Sequence, residues 1–410
     1  MEYCTTNERM AHGCLFHSEV VSVSEESAKY ISDLARTIPP SGIRKYFDIA
    51  QQMEGIISLG VGEPDFMTPW RIRNAAISSM GITTSYTSNS GFPPLRNAIS
   101  QYLDQRFDTY YDPDHEIVVT SGVSEGLDVA IRATVNPGDE VLTIDPIYIS
   151  YAPCITLAGG ISVPVPCLEK DQFRPTPDAI MERITPKTKS IVLNFPNNPT
   201  GAVLRREDLR AIADVCVDHD LLVLSDEIYA ELTYEGEHVA AASIPELYDR
   251  TITLSGFSKA WAMTGFRVGY LCAPKELCQA PLKIHQYVML SAPTVSQYAA
   301  LEALQGPQDD VLEMVQEYRL RRNMIVDGFN RAGLSCHLPQ GAFYAFPSIE
   351  STGLTDAEFA ERLIREGNVA VVPGSVFGPS GAGHLRCAYA VSRSNISIAM
   401  ERILEFVSSL

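Results

Sequence analysis

Short apolar strands that alternate with amphipathic helices dominate the chain from about residue 95 onwards. In the helix predicted after residue 93, Leu95, Ala98, Ile99, Leu103 and Phe107 fall on one face. Strands with few polar positions, separated by such helices, indicate a mostly parallel sheet covered on both faces, which is an α/β fold. The predicted strands are 117–120, 141–144, 161–165, 191–193, 221–224, 251–254 and 268–272.

The C-terminal third has a different pattern, typical of an α+β lobe. A long charged helix is predicted over roughly 308–333 and another helix over 356–366, with strands at 369–372 and 385–390 and a closing helix. A chain of 410 residues is long enough for two domains. We therefore expect a flexible N-terminal tail at 1–28, a small α+β domain from 29–62 and 300–410, and a large domain from 63–299.

Composition narrows the class of partner and the compartment. The formal net charge of −18 argues against nucleic acid or an anionic membrane as a partner. No apolar run reaches the length of a membrane span, and residues 1–25 lack the apolar segment of a secretory signal. The nine cysteines show no CxxC spacing, which fits a reducing cytoplasm.

One lysine, Lys259, lies in a window of small and hydroxyl residues directly after a predicted strand, and Arg267 follows it. Burial of a lysine costs free energy, so a lysine in such a window suggests a function. A Schiff base to an aldehyde cofactor is one such function, with the hydroxyls and the arginine left to hold a phosphate. The alternative is a surface lysine at the end of a strand.

Two further segments follow predicted strands and are suited to ligand binding. In 120–128, Gly122 allows close approach to a helix N-terminus that binds anions, with Ser121 and Ser124 as hydroxyl donors. The alternative is an ordinary turn with a serine cap. In 194–201, prolines and asparagines predict a rigid loop that directs the Asn198 amide at a ligand, or else a purely structural turn.

Two charged positions complete the pattern. Asp226 ends a buried strand, where its carboxylate needs a positive partner such as a protonated pyridine nitrogen, and Tyr229 lies three residues on. Arg386 lies in an alternating strand, where its planar fork suits a carboxylate. The alternatives are a helix N-cap for Asp226 and an exposed strand face for Arg386.

Taken together, these segments resemble the class I aminotransferases of the fold type I, pyridoxal-phosphate-dependent group. The resemblance covers about 30–410 and includes LGVGEPDFMTP (59–69), YTSNSGFPPLR (86–96), DPIYISY (145–151), NFPNNPTG, SDEIY, GFSKAWAMTGFRVGY and HLRCAYA. The AMTGFRVGY form is similar to the prokaryotic aspartate/aromatic branch. The resemblance implies a large cofactor-binding domain with a mostly parallel seven-stranded sheet, plus the smaller α+β domain.

The resemblance also implies a role for each matched position. Lys259 would form the Schiff base and act as general base, and Asp226 would pair with the pyridinium nitrogen. The ring's phenolic oxygen would be bound by Tyr229 and Asn198, and its faces by Tyr148 and Ile228. The implied phosphate ligands are Gly122, Val123, Ser258, Arg267 and, from the other subunit of a homodimer, Tyr86; the implied substrate ligands are Arg386, Gly62 and Asn198; no metal is implied.

Two positions depart from the family pattern. Tyr148 replaces the tryptophan that is frequent at the ring-stacking position. Gly256 replaces a common serine three residues before the lysine, so one phosphate hydroxyl has to come from Ser255 or Ser258.

The implied activity is transfer of an amino group from an L-amino acid, of aspartate or aromatic type, to a 2-oxo acid such as 2-oxoglutarate, with ping-pong kinetics. A C–S β-lyase acting on cysteine conjugates and a cyclopropane-carboxylate synthase would keep the same lysine, aspartate and arginine. A regulator that binds ligand without catalysis is disfavoured, because the segment before the family core is too short and too acidic for a DNA-binding module. The donor stays open: Arg44, Lys45 and His285 are candidates for a second carboxylate, or else surface charges, and aromatics near Tyr46 and Tyr344 are candidates for an aromatic substrate.

Overall fold

The structure is a computed structural model that describes residues 27, 29–51 and 53–410. The flexible tail predicted for 1–28 therefore lies, apart from Ser27, outside the described residues. The chain divides into two compact units, Met1–Pro39 and Pro40–Leu410. In the first, a short helix begins where the Ser32 hydroxyl accepts the N–H of Ala35 at 3.2 Å, as an N-cap does.

The helices and strands have the following bounds. The helices are α1 (Asp33–Thr37), α2 (Gly42–Gln51), α3 (Trp70–Ser79), α4 (Pro93–Phe107), α5 (Val123–Thr134), α6 (Tyr151–Leu157), α7 (Pro177–Met181), α8 (Arg206–Asp218), α9 (Pro245–Tyr248), α10 (Lys275–Val288), α11 (Thr294–Gln305), α12 (Asp309–Arg331), α13 (Asp356–Gly367) and α14 (Arg393–Ser408). The strands are β1 (Ile57–Ser58), β2 (Ile117–Thr120), β3 (Glu140–Asp145), β4 (Ile161–Pro166), β5 (Thr188–Asn194), β6 (Leu222–Asp226), β7 (Thr251–Gly256), β8 (Gly269–Cys272), β9 (Tyr344–Ala345), β10 (Val369–Ala370), β11 (Val372–Pro373) and β12 (Leu385–Ala388).

The central sheet has seven strands in the order β2-β8-β7-β6-β5-β3-β4. Only β8 is antiparallel to its neighbours, so the expected mostly parallel seven-stranded α/β sheet is confirmed. Strands β2, β7 and β8 are buried at every position, as strands covered on both faces must be. Strand β4 lies at the edge and is the most exposed, which accommodates Pro164 and Pro166 because an edge strand has N–H positions that need no partner.

Amphipathic helices supply the rest of the core around this sheet. Helix α5 buries Leu127, Ala130 and Ile131, and α8 buries Leu209 and Ile212, in one cluster with the strands. Along the described residues, no helix is both long enough and apolar enough to cross a bilayer.

The C-terminal part contains two small sheets, β11-β12-β9 and β1-β10. The single strand predicted at 369–372 is wrong, because the segment pairs with two different partners. Val369 and Ala370 pair in parallel with β1, whereas Val372 and Pro373 pair in antiparallel fashion with β12. The predicted helices 308–333 and 356–366 match α12 and α13, and α13 begins with a capping box between Thr355 and Glu358. The division into domains at 62 and 300 stays a prediction.

Strands β2, β5, β6 and β7 point the same way, and their carboxyl ends lie along one edge of the sheet. Asn194, the last residue of β5, lies opposite Asp226, the last residue of β6. The segments after these strands therefore meet at this edge, where α/β sheets bind their ligands.

Candidate active site

A cavity of about 850 Å³ opens at this carboxyl edge. It is lined by all of the predicted site residues except Gly122 and Tyr86, namely Gly62, Val123, Tyr148, Asn198, Asp226, Tyr229, Ser258, Lys259, Arg267 and Arg386. Gly122 lies so close to the lining residue Arg267 that a Cβ on it would be 2.7 Å from Nη2, whereas Tyr86 lies outside the cavity wall and is 81% exposed. Residues that lie more than 300 positions apart in the chain, from Gly62 to Arg386, thus meet in one cavity.

Lys259 follows β7 and extends into the cavity. Its Nζ donates to the carbonyl oxygen of Gly62 at 2.7 Å and lies 5.7 Å from the centroid of the Phe343 ring. Burial, with a smaller contribution from Arg386 and Arg267, lowers the pKa of Lys259 from 10.5 to about 8. A larger fraction of neutral amine at neutral pH suits a lysine that attacks an aldehyde. The alternative of a surface lysine does not fit its place in the cavity wall.

Asp226 ends β6 with both carboxylate oxygens occupied by donors. Oδ2 accepts the hydroxyl of Tyr151 at 2.7 Å, and Oδ1 accepts the N–H of Ile228 at 3.1 Å. Burial raises the pKa of Asp226 from 3.8 to about 6, and these hydrogen bonds oppose that rise. The bond to Ile228 is that of a turn and not of a helix cap, because no helix begins at 227. A buried carboxylate to which no cation among residues 27, 29–51 and 53–410 is hydrogen-bonded fits a positively charged ligand atom.

Arg386 lies in β12 and is only 2% exposed, which excludes the alternative of an exposed strand face. Its Nη1 donates to Asn198 Oδ1 at 3.1 Å and its Nη2 to the Gly60 carbonyl at 2.6 Å. The guanidinium lies 4.8 Å from the ring centroid of Tyr344, and its buried Nε has no hydrogen-bond partner among the described residues. A buried cation with only neutral acceptors is suited to an anionic ligand.

The turn before α5 forms a close contact with an arginine. Gly122 has φ +80°, and a Cβ on it would lie 2.7 Å from Nη2 of Arg267. Val123 and Ser124, the first residues of α5, line the cavity, as does Ser258. A helix N-terminus, an arginine and hydroxyls in one place form a site for a phosphate group.

Only one of the two serines considered as a substitute at Gly256 faces this site. The Ser255 hydroxyl donates to the Glu227 carbonyl at 3.3 Å, and Ser255 does not line the cavity. A Cβ at Gly256 would lie 2.8 Å from the Cα of Gly269, because β7 and β8 approach closely there. A serine at 256 therefore does not fit, and of the two substitutes only Ser258 lines the cavity.

Two tyrosines share a hydrogen bond on the wall of the cavity. The hydroxyls of Tyr229 and Tyr344 lie 2.8 Å apart, and burial raises the pKa of Tyr229 well above its usual range. Tyr148 and Ile228 also line the cavity, as expected for residues that enclose a ring.

The three residues considered as ligands for a second substrate carboxylate have different positions in the structure. Lys45 forms a 2.7 Å salt bridge with Glu361 and does not line the cavity. His285 is wholly buried against Glu125, so neither a place in the cleft nor one on the surface was right. Arg44 lines the cavity and forms no salt bridge with the side chains that the structure describes.

Sequence reasoning assigned no role to three residues of the site. Tyr151 holds Asp226, and Glu63 lines the cavity and accepts the hydroxyl of Thr264. Tyr151, Glu63 and Thr264 all lie within segments already noted for their resemblance, which was the available signal. Their contacts join distant parts of the chain and are not encoded in spacing. Throughout the described ranges, no group of three or more His, Cys, Asp or Glu side chains is placed to hold a metal ion.

This set of groups fits pyridoxal phosphate. Lys259 supplies an amine of lowered pKa, Asp226 a buried carboxylate, and Gly122 with Arg267 a cradle that any side chain at 122 would fill. Arg386, whose buried Nε has no hydrogen-bond partner in the described part of the chain, lies beside Asn198 and can hold a further anion.

Comparison with known proteins gives a consistent result. The sequence model of the family described as aminotransferase class I and II matches residues 54–403. The Bacillus subtilis protein YugH, named as an aminotransferase, is 52% identical over 92% of this chain and 98% of its own length. An aspartate aminotransferase of Pyrococcus abyssi is 42% identical over 91% of this chain and 97% of its own.

A solved structure also matches this chain in three dimensions. The aromatic aminotransferase from Pyrococcus horikoshii is 40% identical, with a TM-score of 0.85, over 89% of this chain and 99% of that one.

Proposed function

The chain belongs to the class I and II aminotransferase family, and from this premise we propose that Lys259, Asp226 and Arg386 carry out its reaction in the cavity at the sheet edge. It is a pyridoxal-phosphate-dependent aminotransferase, which moves an amino group between an amino acid and a 2-oxo acid. The observation that carries the proposed roles is the meeting of an amine of lowered pKa, a buried carboxylate and a buried guanidinium around one cavity.

When bound, pyridoxal phosphate supplies an aldehyde that takes up the amino group and a ring that accepts the electrons released at the substrate Cα. Asp226 provides a fixed negative charge for the ring nitrogen, and Tyr151 holds that carboxylate in place at 2.7 Å. Lys259 moves the proton at Cα, a task for which its pKa of about 8 is suited, since a general base works best when its pKa is near the working pH.

Other residues hold the cofactor and the substrate. Arg267, Ser258 and the 122–124 turn bind the phosphate, and Asn198 with Tyr229 binds the ring's phenolic oxygen. Arg386 binds the α-carboxylate of the substrate, because its fork is buried and already directed by Asn198 and Gly60.

We propose donors of the aspartate or aromatic type, with 2-oxoglutarate as an acceptor. Relatives named for both donor types support this proposal. For a dicarboxylate, Arg44 is the cavity-lining cation with no other assigned partner, since Lys259, Arg267 and Arg386 have the roles above. For an aromatic side chain, Tyr344 and Ile43 provide apolar walls.

We further propose a cytoplasmic homodimer in which Tyr86 reaches the partner's site. Several large apolar side chains are exposed near Tyr86 in the sequence, and another is exposed in the segment before Leu290, which the Tyr86 loop contacts. Their fractional exposures are Met67 73%, Trp70 63%, Ile82 70%, Tyr86 81% and, before Leu290, Tyr287 93%. The loop is held to this surface by a bond from Asn89 Nδ2 to the Leu290 carbonyl at 2.6 Å. Exposed apolar surface of this kind typically marks an interface. The seven described cysteines, all free, support a reducing compartment.

The test of the proposed roles is a Lys259→Ala variant assayed for amino transfer and for products. The variant should lose at least about 1,000-fold in kcat, because the group that moves the proton is absent. A matched Lys45→Ala variant, which lacks a lysine outside the cavity, should retain wild-type activity. Near wild-type turnover by Lys259→Ala would contradict the assignment. Release of pyruvate and ammonia from cysteine conjugates, without a 2-oxo acid acceptor, would instead indicate a C–S lyase, an activity that the names of the relatives given above do not include.

A further inference from the structure

A buried carboxylate and a buried imidazole adjoin the turn proposed to hold the phosphate. Glu125 lies in the first turn of α5, and one of its oxygens accepts the N–H of Ser121 at 2.5 Å. The other oxygen lies 2.5 Å from Nδ1 of His285, near the end of α10. The His285 side chain is 0% exposed and that of Glu125 10%. Because an ionised carboxylate only accepts hydrogen bonds, Nδ1 of His285 carries the proton in this contact.

Glu125 places a second anion close to the N–H groups that are proposed to bind the phosphate. The N-terminus of a helix attracts anions, whether a bound phosphate or a carboxylate in the first turn of the same helix. A Glu125 carboxylate that turned towards the start of α5 would therefore compete with the cofactor phosphate for the N–H groups there. In the structure Val123 and Ser124 line the cavity and Glu125 does not, so its carboxylate is turned away from the site.

We propose that His285 is a positioning residue for cofactor binding. By donating to Glu125 it keeps this carboxylate away from the 122–124 turn, which leaves the turn and Arg267 free for the phosphate. The second oxygen of Glu125 meanwhile fixes the turn through the Ser121 N–H. The inference rests on the proposed phosphate site and adds to it a residue that does not touch the cofactor.

The test measures the dissociation constants of pyridoxal phosphate and of pyridoxal, which lacks the phosphate, with the cofactor-free protein by absorbance titration. Leucine and asparagine at 285 have the same number of side-chain heavy atoms and the same branching, but only asparagine places an N–H donor near the Nδ1 position. We expect His285→Leu to weaken pyridoxal phosphate binding at least about tenfold and His285→Asn less than about threefold, because only leucine releases Glu125. Binding of pyridoxal should not change in either variant.

A second substitution separates positioning from packing. Adding Glu125→Gln to His285→Leu should restore the affinity for pyridoxal phosphate to within about threefold, because a neutral amide does not compete as an anion. Replacement of the exposed His219 by leucine is the matched control and should have no effect. Thermal unfolding of each cofactor-free variant checks that it is folded.

Equal weakening by leucine and asparagine, or equal weakening of pyridoxal, would show that His285 only fills space. If the His285 variants fail to fold, Glu125→Gln alone decides, since it should bind pyridoxal phosphate as tightly as wild type or tighter, and weaker binding would overturn the proposal. Absence of pyridoxal phosphate binding by the wild-type protein would refute the proposed cofactor site itself, a result distinct from any of these.

Discussion

Replacement of Lys259 by methionine should stabilise the cofactor-free protein at neutral pH. The pKa of Lys259 is lowered from 10.5 to about 8, and each pKa unit corresponds to about 1.4 kcal/mol. Keeping the ammonium in the cavity at pH 7 therefore costs about 3 kcal/mol. Methionine removes this cost but leaves the Gly62 carbonyl without its 2.7 Å donor, which offsets roughly 1 kcal/mol. The net gain in the free energy of unfolding is about 2 kcal/mol.

The gain depends on pH in a defined direction. The lowered pKa of Lys259 reduces the free energy of unfolding by the full amount below pH 8, where the lysine is protonated in both the folded and the unfolded protein. The reduction declines between about pH 8 and 10.5 and is absent above pH 10.5. The difference between Lys259→Met and wild type should therefore shrink as the pH rises and reverse to about −1 kcal/mol near pH 10.5, where only the lost hydrogen bond remains.

Urea unfolding of both cofactor-free proteins at pH 7 and pH 10.5, at equal protein concentration, measures this difference. The matched control is Lys187→Met, an exposed lysine for which no change is expected at either pH. The reasoning is refuted if Lys259→Met is less stable than wild type at pH 7, or if its stability relative to wild type is the same at both pH values.

Three further predictions follow from single contacts. Gly122→Ala should weaken pyridoxal phosphate binding by tenfold or more in equilibrium dialysis, because its Cβ would lie 2.7 Å from Arg267 at φ +80°; unchanged affinity would remove this turn from the phosphate site. Tyr151→Phe should raise the pKa of Asp226 further, because it removes the 2.7 Å hydrogen bond that the Tyr151 hydroxyl donates to the carboxylate. The variant should also slow the amino-acid half-reaction about tenfold in stopped-flow measurements, and an unchanged rate would contradict the role of this hydrogen bond. Glu317→Gln should destabilise the protein by about 1–2 kcal/mol at pH 7, because salt bridges to Arg393 and Arg321 lower the pKa of Glu317 from 4.5 to about 2. The stabilisation by these salt bridges is present above pH 4.5 and is lost as the pH falls towards 2. A urea midpoint equal to that of the wild type at pH 7 would refute this prediction.

Much of the fold was predictable because its signals are local. Each strand of the central sheet was found within a few residues, since buried strands are short apolar runs and the helices between them repeat every 3.6 residues. The order of the strands and the reversed direction of β8 depend on contacts between distant segments, and neither was predicted. The split at Val371 was missed because two short strands with different partners have the same apolar pattern as one continuous strand.

Site residues were predictable where a charged side chain lies in a predicted strand or directly after one. Asp226 ends one strand of the central sheet and Lys259 follows another, whereas Arg386 lies in β12 of a small sheet, and all three line the cavity. Side-chain direction was harder to predict. Ser255 turns to the Glu227 carbonyl, and His285 pairs with Glu125 across 160 residues, because packing between distant elements and not sequence spacing fixes these contacts.

The most direct test of the central claim is an absorbance spectrum of the purified holoenzyme, recorded before and after addition of single L-amino acids without any acceptor. Amino transfer predicts that the visible band of bound pyridoxal phosphate gives way to the near-ultraviolet band of pyridoxamine phosphate, and that 2-oxoglutarate restores the first band. Aspartate, glutamate or aromatic amino acids should be the donors that cause this change. A protein without a cofactor band, or one that releases pyruvate without forming pyridoxamine phosphate, would contradict the account.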